Sequence, residues 1–141
     1  MILVDTGVFV AAAFPDDRHH DPCRRFLAET SDNLAISDII VAEVSHLLRR
    51  ATTRPRPERA FLMLIAEGRI QSLAPAPEDY RRMAELVEQY HDLPLGAADA
   101  SIVAIGERLG VSKLATVDRK DFTAVRPRHV AAFELLPDLT W

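Results

Sequence analysis

The sequence predicts an α/β fold, a three-layer α/β/α sandwich around a mainly parallel sheet, and three observations predict it. Short runs rich in β-branched residues, Ile2-Leu3-Val4 first among them, suit strands buried on both faces. These runs alternate with segments whose apolar residues recur at helical spacing, the order from which βαβ units are built. The composition is that of an ordinary globular protein, 48% hydrophobic and 27% charged, so disorder and low-complexity assembly are excluded. A length of 141 residues suits one domain, taken as 1–141.

Each element follows from local chemistry. Ile2-Leu3-Val4 ends at an acid and is expected to be the first central strand. Val8 to Ala13 reads as a short helix stopped by Phe14-Pro15. Asp21 to Thr30 reads as another, because Pro22 falls in a first turn, where its missing N–H costs nothing. Asn33 to Ile36 is a strand candidate. Ser37 or Asp38 caps a helix running to about Ala51, along which Ile40, Val44, Leu47 and Leu48 recur. Pro55 and Pro57 break the chain next. Glu58 to Gly68 repeats the helical pattern through Phe61, Leu62 and Ile65, and Ile70 to Leu73 is a strand or an extended link. Pro77-Glu78 opens a helix with acids in its first turn, an apolar face of Tyr80, Met83, Ala84 and Val87, and an end near His91-Asp92. Pro94 and Gly96 precede the best amphipathic helix, Ala97 to Leu109, stopped by Gly110. Lys113 to Val117 is then a strand, Arg119 to Ala124 a turn or short helix, and Ala132 to Leu136 a last strand.

Seventeen Lys and Arg against 21 Asp and Glu leave a formal charge of −4, the wrong sign for holding nucleic acid by bulk charge. Any polyanion must therefore meet a local patch. Cys23 is the only cysteine, which removes disulfides and CxxC-type zinc or redox sites and suits a reducing compartment. The histidines, His19, His20, His46, His91 and His129, lack metal-binding spacing, and His19-His20 reads as a solvated loop. No basic leader precedes Ile2, and the apolar run Val8 to Phe14 is too short to span a bilayer. A cytoplasmic protein with no membrane role is expected.

In open α/β sheets the ligand site lies beyond the carboxyl ends of the strands. Asp5 follows Ile2-Leu3-Val4 directly and Asp118 follows Leu114-Ala115-Thr116-Val117 directly, which puts both carboxylates at one rim. Taken singly, each is equally well a helix cap or turn former. Asp99 shares a helix face with Ile102, Val103 and Gly106, the buried face of its helix, with first-turn capping as the rival reading. Glu43 lies among Ile40, Val44 and Leu47. Four acids bordering apolar surface, without a matching run of Lys or Arg, repel one another unless a cation joins them. Oxygen donors alone select Mg²⁺ or Mn²⁺, ions held by a few carboxylates together with phosphate oxygens. That chemistry points to phosphoryl substrates, and no EF-hand loop is present to suggest structural Ca²⁺.

Taken in order, Ile2-Leu3-Val4-Asp5-Thr6, Ala42-Glu43-Val44, Ala98-Asp99-Ala100 and Ala115-Thr116-Val117-Asp118-Arg119-Lys120-Asp121-Phe122 resemble the PIN-domain ribonucleases. Among these the chain is most similar to the VapC toxins of bacterial toxin–antitoxin pairs. The resemblance spans nearly the whole chain and rests on the order, spacing and setting of four acids. It implies a PIN fold and a Mg²⁺-dependent or Mn²⁺-dependent endoribonuclease that cuts structured RNA, tRNA or rRNA, and so inhibits translation. It also implies a cognate VapB-like antitoxin and a homodimer. By the same resemblance Asp5, Glu43, Asp99 and Asp118 form the acidic quartet, with Asp5 and Asp99 the most secure metal ligands and Thr6 and Thr116 supplying hydroxyls nearby. Asp121 either adds a ligand or caps the following turn, and the cap is the reading adopted.

Arg49, Arg50, Arg54, Arg56 and Arg59 fall within eleven residues that contain one acid, Glu58. Arginine suits bidentate phosphate contacts, so this run is a candidate RNA-binding patch. Arg119 and Lys120 flank Asp118, with Arg126 and Arg128 beyond, and are candidates to steer RNA to the acids; ordinary solvated charge is the alternative for both groups. Phe61, Leu62, Leu64 and Ile65, with Leu47-Leu48, are wider than one core stripe requires and are expected to meet a partner in part. Two other classes remain open. A PIN-type module that binds RNA or protein without cutting would keep the fold, and Asp5-Thr6-Gly7 matches the Asp-Thr-Gly of aspartic proteases, although that fold is nearly all β.

Overall fold

The computed structural model describes residues 1–139; the last two positions of the expected 1–141 domain lie outside the described residues. The chain runs β1 (Ile2–Val4), α1 (Thr6–Ala13), α2 (His20–Glu29), β2 (Leu34–Ser37), α3 (Asp38–Ala51), α4 (Arg56–Ala66), β3 (Ile70–Leu73), α5 (Pro77–Gln89), α6 (Ala97–Leu109), β4 (Lys113–Ala115), α7 (Arg119–Ala124) and β5 (Glu134–Leu136). The strands form one sheet in the order β3-β2-β1-β4-β5, and all four pairings are parallel. Successive connections run from β1 out to β3 and then return through α5 and α6 to β4. Because parallel crossovers are right-handed, that reversal puts the outward and returning helices on opposite faces of the sheet. It also makes β1 and its neighbours the switch point, where the rim of an open α/β sheet opens into a crevice.

The core follows the apolar pattern. Ile2, Leu3 and Val4, Ala35 and Ile36, and Leu114 and Ala115 are all essentially inaccessible, as expected for central strands covered on both faces. α6 is buried from Ala100 to Gly106 on every side rather than along a stripe, so it is the central helix of its layer. Gly110 ends it at φ 68°, a left-handed C-cap whose N–H returns to the Gly106 carbonyl.

Several expected boundaries and faces move. α1 starts at Thr6, two residues early, because Asp5 is its N-cap. β4 stops at Ala115 because the Thr116 hydroxyl accepts the Asp118 N–H at 2.9 Å and turns the chain out of the strand. β5 starts at Glu134, whose N–H bonds to the Ser112 carbonyl, and not at Ala132. The apolar face assigned to α5 is rotated: Asp79, Met83 and Leu86 are buried, while Tyr80 and Val87 are exposed. The cause is tertiary, since Asp79 accepts from the Arg108 guanidinium at 2.9 Å and 3.0 Å, which turns a charged residue inward and two apolar ones out. His19 and His20 are half-buried, and the His20 Nδ1 lies 2.9 Å from the Ala11 carbonyl, so neither is a solvated loop residue.

Candidate active site

The carboxyl rim of the sheet gathers the acids that lie far apart in sequence. Asp5 caps α1 immediately beyond β1 and is only 6% exposed. Its Oδ1 accepts the Thr6 N–H at 2.7 Å and its Oδ2 accepts the Thr116 hydroxyl at 2.8 Å. Thr116 therefore does two things at once, bending the chain toward Asp118 and fixing the orientation of Asp5. The buried Thr6 hydroxyl donates to Glu43 Oε2 at 2.5 Å, tying α1 to α3. α3 packs against both α1 and α6, and this arrangement brings Glu43 into the electrostatic reach of Asp99 in the first turn of α6.

The pKa shifts report the same convergence. Asp5 is pushed up to about 6, chiefly by burial, against the lowering effect of its two hydrogen bonds and with a further upward push from Glu43 and Asp118. Asp99 is pushed up to about 7 by burial and by the charges of Asp5, Glu43, Asp118 and Asp121. Asp121 is also raised, by burial and then by Asp118. No Lys or Arg forms an ion pair with Asp5 or Asp99 among the described residues. Five carboxylates thus share one field with little of the chain's own positive charge to offset it.

Among the described residues, no group of three or more His, Cys, Asp or Glu side chains is placed to hold a metal ion. The donors nonetheless suit a hard divalent ion, which retains several waters and asks the protein for only one or two carboxylates. Asp99 supplies a carboxylate that makes no side-chain hydrogen bond among the described residues, and Asp5 is held by two. Carboxylate oxygens of this kind suit a hard divalent cation better than a soft one.

Some sequence-derived roles change. Glu43 is exposed rather than buried among Ile40, Val44 and Leu47, and its partner is the Thr6 hydroxyl. Asp118 lies three residues beyond the end of β4, not directly after it, and is exposed. Asp118 is also the cap of α7, accepting the Asp121 N–H at 3.3 Å, so the capping role given to Asp121 belongs to Asp118. The cations disperse. Arg49 pairs with Glu58, and Arg54 and Arg56 line an apolar groove with Ala13 and Phe14, at the opposite end of α1 from Asp5. Arg119 donates to the Pro137 carbonyl, Arg126 to the Thr123 carbonyl and Arg128 to Glu85. Arg50 and Lys120 are exposed on α3 and α7, the helices that also carry Glu43 and follow Asp118. Cys23 is buried and its thiol is pushed up to about 11 by burial and the charge of Asp17, which removes it as a nucleophile.

The all-parallel sheet excludes the aspartic protease reading, which requires a β-rich fold. Comparison with known proteins agrees with the geometry. Ribonuclease VapC26 of Mycobacterium tuberculosis (strain ATCC 25618 / H37Rv) is 28% identical over 139 residues, 96% of this chain and 100% of that protein. The crystal structure of Mycobacterium tuberculosis VapC20, a sarcin-ricin loop cleaving toxin, superposes with a TM-score of 0.81 at 20% identity over 93% of this chain and 99% of the other. VapBC2 from Rickettsia felis, bound to a DNA fragment from its promoter, gives 0.67 at 18% identity over 97% of this chain and 100% of the other. The PIN domain profile matches residues 2–126, the span that holds every acid of the rim, and the chain belongs to the PIN-domain family.

Proposed function

We propose that this PIN domain is a metal-dependent endoribonuclease acting as the toxin of a VapBC-like toxin–antitoxin pair. The observation that carries the proposal is the convergence of acids at the carboxyl rim, where Asp5 and Asp99 are raised to about 6 and about 7 by burial and by neighbouring carboxylates. The ribonuclease relative, aligned over 96% of this chain, supports the reaction class. Asp5 and Asp99 would hold Mg²⁺ or Mn²⁺, with Glu43 and Asp118 completing the set. When bound, the ion supplies a Lewis acid that polarises the phosphodiester and lowers the pKa of a water. Thr116 keeps Asp5 in one orientation through its hydroxyl, and Thr6 does the same for Glu43. Glu43 and Asp118 are exposed, and either carboxylate would be able to take a proton from an attacking water. Products ending in 5′-phosphate and 3′-hydroxyl are expected, from structured RNA such as tRNA or rRNA.

An antitoxin partner belongs to this reading, since the Rickettsia felis structure is a VapBC pair. A groove of about 620 Å³ lined by Phe9, Phe14, Leu27, Phe61 and Leu64 supports docking of an apolar segment. Tyr80 and Val87, 53% and 40% exposed on α5, support self-association. Among the described residues no helix is long and apolar enough to cross a membrane, and a cytoplasmic site of action is part of the proposal.

The deciding experiment is incubation of total cellular RNA with the purified protein in Mg²⁺, Mn²⁺ or EDTA, beside Asp5→Asn and Asp99→Asn, with the new ends read by sequencing. Discrete cuts that need the metal and vanish in both variants are expected. Cutting in EDTA, or full activity in folded variants, overturns the mechanism. A folded protein that binds RNA and cuts none is instead a silent binding module.

A further inference from the structure

Resting on the ribonuclease reading, we infer that a single RNA strand crosses the carboxyl rim from Lys120 on α7 to His46 and Arg50 on α3, with the acids between them. The topology sets this path. Asp5 follows β1, which lies between β2 and β4, and the two elements leaving those strands are α3 and α7. The acids are therefore flanked by α3 on one side and α7 on the other.

Glu43 fixes which face of α3 meets them, because the Thr6 hydroxyl holds its carboxylate. His46 and Arg50 follow at i+3 and i+7, which on an α-helix is the same face at about 4.5 Å and about 10.5 Å along the axis. Both side chains are exposed, and neither forms a hydrogen bond or ion pair among the described residues. Arg49 differs on both counts: it points elsewhere on the wheel and is paired with Glu58 at 2.8 Å. On the other flank Lys120 is exposed one residue before Asp121, whose carboxyl it partly offsets.

A guanidinium binds phosphate bidentately, an ammonium binds it as a point charge, and an imidazole donates from a ring nitrogen. Spaced along the rim, the three groups hold backbone phosphates on either side of the cut. The two permanent cations offset the repulsion that a rim of acids exerts on an approaching polyanion.

The test is fluorescence anisotropy of a labelled, mixed-sequence 20-nucleotide single-stranded RNA across a salt series, with the cutting assay run in parallel. Arg50→Ala and Lys120→Ala should each weaken binding about fivefold or more and flatten the slope of log affinity against log salt by about 0.7. His46→Ala should weaken binding and His46→Gln, which keeps an N–H donor, should restore much of it. In single-turnover cutting, the RNA concentration needed should rise in all three alanine variants while the limiting rate stays within about twofold. Arg69→Ala, away from the rim, serves as the control for diffuse charge. Unchanged slopes in Arg50→Ala and Lys120→Ala, or an equal loss in Arg69→Ala, overturn the track, as does wild-type protein that binds no RNA. Wild type that binds with these slopes and cuts nothing keeps the track and overturns the ribonuclease reading.

Discussion

Asp99 sits where burial and four other carboxylates disfavour its charge, and the consequence for stability can be signed. Its pKa rises from 3.8 to about 7 on folding, so between these values the folded chain binds a proton that the unfolded chain has released. A raised pKa contributes stability that is fully present below the unfolded value and is lost as pH rises through the folded one. For the cation-free protein, stability should therefore fall between about pH 4 and pH 8, by up to about 3 kcal/mol from this residue. Urea unfolding of wild type and Asp99→Asn across that range checks it, because the variant lacks this titration and the repulsion it exerts on the neighbouring acids, while groups remote from the rim are common to both proteins. The difference between the two curves should grow with pH as the wild type loses ground. A flat difference would mean that Asp99 is not held in the shared field of the acids.

At the scale of elements, the site depends on how closely α1 approaches the turn between β4 and α7. Gly7, the second residue of α1, has no side chain, and a Cβ built there would lie 2.4 Å from Val117 Cγ2. The approach lets Asp5 at the head of α1 meet the Thr116 hydroxyl at 2.8 Å. Gly7→Ala should thus separate α1 from that turn, cost about 1–3 kcal/mol as an overpacked contact, and lower the cutting rate by loosening Asp5. Val117→Ala opens the space required, so the Gly7→Ala/Val117→Ala double variant should recover stability and activity relative to Gly7→Ala alone. Thermal melts and single-turnover rates of the three proteins form a cycle. Losses that simply add would show that the two residues do not share this contact. Here the sequence reading was incomplete for a physical reason. Asp-Thr-Gly marks a turn and a helix start, but what Gly7 must clear lies 110 residues away and becomes its neighbour only through the β1–β4 pairing.

For the whole molecule, the order of strands and helices was legible because burial on both faces writes continuous apolar runs, and Asp5 and Asp99 were legible because acids stood against that pattern. Features set by tertiary partners were not. The α5 face turned because Asp79 and Arg108, 29 residues apart, pair across two helices. The arginine run dispersed because Glu58 and the apolar groove each claim part of it. In the arrangement that results, the acids of the rim push one another's pKa values up, and a divalent cation bound among them would offset that repulsion. A ligand that binds only the folded state stabilises by RT ln(1 + [L]/Kd), about 2.7 kcal/mol at one hundred times Kd. For a chain of this size that corresponds to a rise in Tm of roughly 5–10 °C. Mg²⁺ or Mn²⁺ should therefore raise the melting temperature, more at pH 8 than at pH 5, because the raised pKa values of Asp5 and Asp99 leave protons competing for the same oxygens at the lower pH. Asp5→Asn and Asp99→Asn should abolish most of the increment, while Arg69→Ala should keep it. An equal rise in all the variants, or one independent of pH, would place the cation elsewhere on this acidic surface and leave the rim without its ligand.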